Sequence, residues 1–114
     1  MNMMNYFMGY NHPMNVIENS DEWIIELRAV GLTREDISLE YEPNGSILLI
    51  KSPERDKTEG EDYNRHEFWN DWFDTRIQLP AGIDSEGITA KVEKGILVVN
   101  IKKDKKSNRK IEIG

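Results

Sequence analysis

The sequence predicts an all-β fold, built as one β-sandwich, and three observations carry this prediction. Apolar and polar residues alternate with a period of two through much of the chain, as they do in half-buried strands. No segment keeps helical spacing for three turns. Turn signals rich in glycine, proline and asparagine separate the short alternating segments. A chain of 114 residues also suits one hydrophobic core rather than two.

The first three strands are predicted from the alternation alone. The pattern begins near residue 14, with a strand over 14–18, and continues over 22–30, where every second residue is apolar. Residues 36–42 alternate most regularly, because Ile37, Leu39 and Tyr41 share an apolar face while acidic or hydroxyl side chains occupy the other face. Each of these segments therefore has one face suited to a core and one suited to solvent.

The remaining strands are predicted from apolar runs and turns. Pro43-Asn44-Gly45 predicts a tight turn, since asparagine and glycine tolerate positive φ, and it should join 36–42 to the apolar run 47–50 as a hairpin. Lys94-Gly95 predicts a second tight turn. Three further strands are predicted over 73–79, 88–93 and 96–102.

Three stretches fall outside the core pattern and suggest how the chain is organised. Residues 1–12 form a short arm rich in methionine and aromatic residues, and residues 104–114 form a polar tail that ends in an apolar triplet. Residues 52–70, hereafter the excursion, are long for a connection within a compact domain. We therefore expect an arm over 1–12, a domain over 13–103 that contains the excursion, and a tail over 104–114.

Charge and composition exclude several classes of function. A formal net charge of -6 repels a nucleic-acid backbone, and no apolar run approaches the roughly 20 residues that span a bilayer, so neither nucleic acid nor membrane is expected as a partner. The chain has no cysteine, and His12 and His66 stand in no spaced ligand motif, so no metal is expected. No nucleotide-binding loop or catalytic motif occurs, so we expect no cofactor, no ATP use and no enzymatic activity. The first residues do not read as a secretory signal, which makes the cytoplasm the default location.

Four motifs occur in an order that resembles the alpha-crystallin domain of small heat-shock proteins. Residues 90–97, AKVEKGIL, are similar to the signature A-x-x-x-n-G-v-L of that family, and residues 73–80 to its strand F-x-R-x-h-x-L-P. Residues 30–37, VGLTREDI, are similar to its turn P-G-v-x-x-e-d-i, and residues 111–113 to its C-terminal Ile-X-Ile motif. The resemblance implies an immunoglobulin-like β-sandwich with a strand-exchange loop, and an oligomeric chaperone that holds partly unfolded proteins without ATP.

The chain departs from the family pattern at two positions. Val30 stands where the turn proline is usual, and Thr75 stands where the strand arginine is usual, with Arg76 one position later. A step of one residue along a strand moves a side chain to the opposite face, so the role of that arginine in the family cannot be transferred to Arg76.

The tail carries the first candidate surface. In a strand, Ile111 and Ile113 project on one side about 6.6 Å apart, and this spacing suits two pockets along a sheet edge. The resemblance implies a receiving groove between two edge strands of another subunit. The residues that map onto this groove are Leu39, Tyr41, Ile88, Ala90 and Val92.

The excursion and the arm carry the other two candidate surfaces. The resemblance implies that the excursion exchanges a strand with the partner subunit in a dimer. The exchanging residues would be Tyr63, Asn64, Arg65, His66, Glu67 and Phe68, pairing with Met14, Asn15, Val16 and Ile17 of the partner's first strand. Flexible thioether and aromatic side chains suit the binding of varied clients, and those of the arm are Met3, Met4, Tyr6, Phe7 and Met8.

Other interpretations of these features remain open at this level. The tail can fold onto its own domain, the excursion can be a solvated loop, and the arm can lack a role. Trp69 to Asp74 combines aromatic rings with carboxylates, a composition that also occurs in sugar-binding sites. The main alternative is a monomeric co-chaperone of the CS-domain type that serves an ATP-dependent chaperone.

Overall fold

The computed structural model describes residues 7–9, 12–53, 64–65, 70–104 and 111–114. Within these ranges the chain forms eight strands and no helix. The strands are β1 (Phe7–Gly9), β2 (Met14–Glu18), β3 (Glu22–Arg28), β4 (Ser38–Glu42), β5 (Ile47–Lys51), β6 (Asp74–Gln78), β7 (Ile83–Glu93) and β8 (Ile96–Lys103). They build two four-stranded antiparallel sheets, which confirms the predicted all-β sandwich.

The order of the strands determines which of them are edges. The first sheet runs β1-β6-β5-β4 and the second runs β2-β3-β8-β7. The edge strands are therefore β1 and β4 in the first sheet, and β2 and β7 in the second. An edge strand presents backbone groups that no neighbour in its own sheet satisfies, so these four strands are the positions at which another chain segment can be added.

The core lies between the two sheets and follows the predicted alternation. In the central pair of the second sheet, Ile25 pairs with Val99 and Leu27 with Leu97, and all four side chains are buried. The first sheet contributes Leu48 and other side chains of β5 and β6 from the opposite side. The buried core comprises Trp23, Ile25, Leu27, Ala29, Leu48, Ile50, Phe73, Ile77, Leu79, Leu97, Val99 and Ile101.

The structure corrects two of the predicted strand boundaries. It adds β1, whose three residues pair with β6, although the sequence pattern indicated no strand before residue 14. It also begins β7 at Ile83 rather than Ile88, with a shift of register between these two residues. The polar run over 84–86 conceals this extension, because it shows no alternation and because residues at an irregularity need not face the core.

The two tight turns are present, with one difference in backbone conformation. Lys94 (φ 51°) and Gly95 (φ 76°) both have positive φ and form a two-residue connection, as a type I′ hairpin requires. In the turn between β4 and β5, the residue with positive φ is Ser46 (φ 52°), not Asn44 or Gly45. The N–H of Ser46 donates to the carbonyl of Pro43 at 3.4 Å, which closes this turn.

The residues at the arginine position of β6 face in opposite directions. Thr75 is 1% exposed and faces the core, whereas Arg76 is exposed. Among the described residues, no partner hydrogen-bonds to the buried Thr75 hydroxyl. Arg76 therefore does not take the place of the arginine that the family pattern has at position 75.

Candidate functional site

The edge strands β4 and β7 border an open groove on one side of the sandwich. Five apolar residues and two cationic residues line it: Ile37, Leu39, Ala90, Val92 and Leu97, with Arg34 and Lys91. Its volume is about 170 Å³. A cavity of roughly 150 Å³ can hold a benzene molecule, so this groove has room for a branched aliphatic side chain.

The structure brings together three of the five residues predicted for the groove. Leu39, Ala90 and Val92 line it, while Tyr41 and Ile88 lie two residues further along their strands. Tyr41 and Ile88 are half-buried and, like Leu39 and Val92, pack against the core, but they lie outside the groove lining. The family resemblance indicated the two strands that border the groove, but it did not show how far along each strand the groove extends.

The connection between β3 and β4 supplies two groove residues that the sequence analysis missed, Arg34 and Ile37. A local hydrogen-bonded turn holds this connection, because the Asp36 carboxylate accepts from the N–H of Thr33 at 2.8 Å and from its hydroxyl at 3.1 Å. The N–H of Asp36 donates back to the carbonyl of Thr33 at 3.0 Å. The spacing of Thr33 and Asp36, a Ser/Thr followed three residues later by a carboxylate, is the signal that could have indicated an ordered turn here.

The tail does not occupy the groove of its own chain. Ile111 is 77% exposed and Ile113 is 96% exposed, and Glu112 between them is also exposed. Two isoleucines left in solvent forfeit roughly 1.5–3 kcal/mol each relative to burial. The tail therefore carries apolar surface that its own domain does not cover.

The edge strand β2 contains the four residues predicted to receive a partner strand. Met14 and Val16 are half-buried against the core, whereas Asn15 and Ile17 are exposed on the other face. Within the described part of the chain, β2 pairs with β3 and has no neighbour on its other side. Of the predicted exchanging residues, Asn64 and Arg65 are described and exposed. Tyr63, His66, Glu67 and Phe68 lie outside the described residues.

Hydrogen bonds hold both ends of the excursion on the domain. At its start, the N–H of Ser52 donates to the carbonyl of Phe73 at 2.9 Å, and the Ser52 hydroxyl accepts from the N–H of Phe73 at 2.7 Å. At its end, the N–H of Asp71 donates to the carbonyl of Val30 at 2.9 Å, and the Asp71 carboxylate accepts from the N–H of Val30 at 2.8 Å. The excursion therefore leaves and rejoins the sandwich at defined points.

The side chain of Asp71 is the centre of this attachment. Its carboxylate also accepts hydrogen bonds from two guanidinium nitrogens of Arg28, at distances of 3.1 and 3.2 Å. The Asp71 side chain is only 9% exposed. Beside it, Gly31 (φ 82°) approaches Asn70 so closely that a Cβ at position 31 would lie 2.3 Å from the Asn70 side chain. The polar residues that follow Trp69 thus have a structural role, because they join the excursion to the connection between β3 and β4.

Removing the Asp71 carboxylate should destabilise the domain measurably. We expect Asp71→Ala to lower the free energy of unfolding by about 1–2 kcal/mol, because a charge-assisted hydrogen bond to a backbone N–H is lost, while the exposed Arg28 contributes little. Denaturant unfolding at one protein concentration checks this. Glu35→Ala is the matched control, since its ion pair with Arg34 is exposed on both sides and should be worth less than about 0.5 kcal/mol. Equal effects of the two variants would contradict the structural role of Asp71.

The arm is joined to the domain by β1 and by a buried histidine. β1 pairs with β6 along three residues, from Phe7 opposite Ile77 to Gly9 opposite Thr75. His12 is buried, its Nε2 donates to the carbonyl of Arg28 at 2.5 Å, and its ring lies 4.4 Å from that of Phe73. The predicted client-binding residues Met3, Met4 and Tyr6 lie outside the described residues, whereas the backbone of Phe7 and Met8 belongs to β1.

Metal-binding clusters and membrane-spanning helices were sought among the described residues. No group of three or more histidine, aspartate or glutamate side chains in the described part of the chain could hold a metal ion. The described ranges also contain no helix that is long and apolar enough to cross a membrane.

Comparison with known proteins relates the chain to one family over most of its length. The model of the Hsp20/alpha crystallin family matches residues 15–114. Small heat shock protein C4 of Rickettsia felis is 34% identical over 102 residues, which cover 87% of this chain and 61% of that protein. The chloroplastic small heat shock protein of Pisum sativum is 28% identical over 102 residues, which cover 89% of this chain and 42% of that protein. The chain thus spans about three fifths or less of these two relatives.

Solved structures share the fold. A small heat-shock protein from Xylella fastidiosa, described as having a distinct high order structure, superimposes with a TM-score of 0.74 at 25% identity and covers 92% of this chain and 97% of its own. Heat shock protein 16.0 from Schizosaccharomyces pombe superimposes with a TM-score of 0.69 at 26% identity, and the match covers 94% of this chain and 84% of that protein. The sandwich described above is therefore the one that these proteins have.

Proposed function

The chain belongs to the Hsp20/alpha crystallin family, and we propose that it acts as an ATP-independent holding chaperone of the cytoplasm. In this proposal it binds partly unfolded proteins, suppresses their aggregation and assembles with copies of itself. It needs no reaction centre for this activity, because holding requires apolar surface that can meet an unfolded client and a way to cover that surface at other times.

One observation carries the proposal: an open apolar groove and an exposed pair of isoleucines occur in the same chain without meeting. The groove lies between two sheet edges, where an extended segment can add its backbone to an edge strand and its alternate side chains to the pockets. Ile111 and Ile113 have the alternate spacing of such a segment and are exposed. Docking of the tail of one subunit into the groove of another would cover both surfaces.

The second part of the proposal is a dimer formed by strand exchange. Residues 63–68 of one subunit would pair with β2 of its partner, which has a neighbour on one side only. The bonds of Ser52 and Asp71 support this proposal, because they hold both ends of the excursion on the sandwich and so fix the points from which residues 63–68 would reach a partner. The domain organisation that follows is an arm over 1–12, which includes β1, a sandwich over 13–103 and a docking tail over 104–114.

The third part concerns clients, for which we propose the methionines and aromatic residues of the arm. Met3, Met4 and Tyr6 precede β1 in the sequence, so these three residues can be substituted without changing the residues that pair with β6. Thioether side chains adapt to many apolar shapes and therefore suit varied clients. The groove is the alternative client surface, because a client segment and the tail would compete for it.

The test is aggregation of a heat-labile client, followed by light scattering with ATP omitted. We expect the full chain to suppress scattering at a near-stoichiometric ratio of subunits to client. Substituting Met3, Met4 and Tyr6 by serine should weaken suppression severalfold, because the thioether and aromatic surface proposed to meet the client is lost. Thermal unfolding of the same variant distinguishes a loss of client binding from a loss of the fold. The control is Lys51→Ser, an exposed residue of β5, a strand that does not pair with β1.

Two results would contradict different parts of the proposal. If the full chain fails to suppress aggregation at any ratio, it is not a holding chaperone for that class of client. If suppression survives the three serine substitutions in full, the clients bind elsewhere on the chain and the role of the arm is wrong.

A further inference from the structure

In the edge strand β7, a lysine lies between two apolar residues of the groove. Ala90 and Val92 line the groove and pair with the buried residues Val99 and Leu97, so their side chains face the inside of the sandwich. Lys91 pairs with Val98, and by the alternation of a strand its side chain leaves on the outer face of the sheet. Along β7, an apolar, a cationic and an apolar side chain therefore follow one another beside the groove.

The tail has the complementary order. Ile111 and Ile113 are apolar and Glu112 between them is anionic. If the tail is added as a strand beside β7 with its isoleucines turned into the groove, Glu112 must turn to the outer face. It then lies next to Lys91, at a distance at which opposite charges on neighbouring strands attract.

We propose that the pair Glu112 and Lys91 sets the register of tail docking and makes the groove selective for an acidic residue between two branched aliphatic residues. This inference rests on the proposed docking of the tail of a second copy of the chain. The other residues of β7 on the outer face, Thr89 and Glu93, explain why register is at stake. A slip of two residues keeps both isoleucines turned inward, but it places Glu112 beside the uncharged Thr89 or the like-charged Glu93.

The charges around the groove support an anionic occupant. Among the described residues, the two charged members of its lining, Arg34 and Lys91, are cationic and none is a carboxylate, although the side chain of Lys91 lies at the outer rim. Each cation already has a neighbouring carboxylate. The Nε of Arg34 lies 3.3 Å from Oε1 of Glu35, and the Nζ of Lys91 lies 3.4 Å from Oε2 of Glu93. These pairs are exposed on both sides, so they are weak and can exchange for a pair with Glu112 at little cost.

The test measures binding of three synthetic tail peptides to the full-length chain that carries Ile111→Ala and Ile113→Ala, so that its own tail does not compete. The peptides have the sequence of residues 108–114 with Glu, Gln or Lys at the central position. An opposite-charge pair between strands contributes about 0.2–1 kcal/mol, so the Glu peptide should bind roughly two- to fivefold more tightly than the Gln peptide. The Lys peptide should bind roughly tenfold more weakly than the Glu peptide, and 0.5 M salt should reduce both differences.

A charge reversal on the groove side separates this pair from general electrostatics. Lys91→Glu should reverse the order, so that the Lys peptide binds best, and Glu93→Gln should strengthen the Glu peptide by releasing Lys91. Arg76→Glu changes the net charge equally on β6, which β5 separates from the groove strand β4, and should leave the order unchanged. Equal affinity of the three peptides overturns the charge selection but leaves tail docking standing, whereas a lack of binding by all three overturns both.

Discussion

Substituting Ile111 and Ile113 by alanine should dissolve the assembly into dimers that remain folded. The two side chains are almost fully exposed in the chain itself, so their removal takes nothing from its core. In the assembly each would be buried in a groove, where two isoleucines contribute roughly 3–6 kcal/mol before the cost of ordering the tail. Each subunit supplies one tail and one groove, so the loss acts at every junction at once.

Sedimentation velocity at several protein concentrations measures the change in mass, and thermal unfolding checks that the domain is intact. Val30→Ala is a suitable control, because Val30 is also an exposed apolar residue, 42% accessible, but lies outside the groove lining. An unchanged assembly mass in the double alanine variant would show that the tail does not link subunits. A monomer with a lowered melting temperature would show instead that the tail stabilises its own domain.

The family resemblance, together with side-chain alternation, indicated five residues for a docking groove. Of these, Leu39, Ala90 and Val92 line the groove between β4 and β7, and its role in docking stays a prediction. Alternation states which face a residue is on, but not where a surface depression begins and ends. Ile88 and Tyr41 share a face with these residues and yet pack against the core outside the lining.

The contacts that position the groove and the excursion could not be predicted in the same way. The Asp71 carboxylate binds Arg28 and the N–H of Val30, which lie more than 40 positions earlier, and no local pattern announces a pair at that separation. Arg34 and Ile37 line the groove because the turn at Thr33 and Asp36 folds the connection beside β7, a result of tertiary packing. The arm was missed as a strand because three residues among asparagines are too few for a period to appear.

The departure at position 75 shows how one residue changes what a shared fold can carry. A buried arginine in a strand needs charged partners, whereas Thr75 leaves only a hydroxyl in the core, next to β1 on one side and Ile50 on the other. Arg76 points to the opposite face, beside Leu49 and Met8 in the register of the sheet. Any dimer of this chain must therefore form without an arginine at that core position.

Replacing the segment of the excursion that is proposed to pair with the partner should convert dimers into monomers. We propose replacing residues 63–68 by an equal number of glycine and serine residues, in the chain that already carries Ile111→Ala and Ile113→Ala, so that the tail does not mask the result. A partner strand on β2 would form about four backbone hydrogen bonds, each worth about 0.5–1.5 kcal/mol, and a flexible replacement pays more entropy to form them. The dissociation constant of the dimer should therefore rise roughly 10²- to 10⁴-fold.

A replacement of equal length elsewhere in the excursion provides the control. Residues 56–61 receive the same glycine and serine sequence, which changes the flexibility of the excursion but keeps residues 63–68. The ends of the excursion at Ser52 and Asp71 are untouched in both variants, so the sandwich should remain folded and show the same far-ultraviolet circular dichroism. Sedimentation at low micromolar concentration then distinguishes the two variants. The chain replaced at residues 63–68 should sediment as a monomer, and the chain replaced at residues 56–61 should sediment as a dimer. Dimers that persist in both would show that the subunits associate through another surface, whereas monomers in both would show that the length of ordered excursion, and not the residues that pair, controls the dimer.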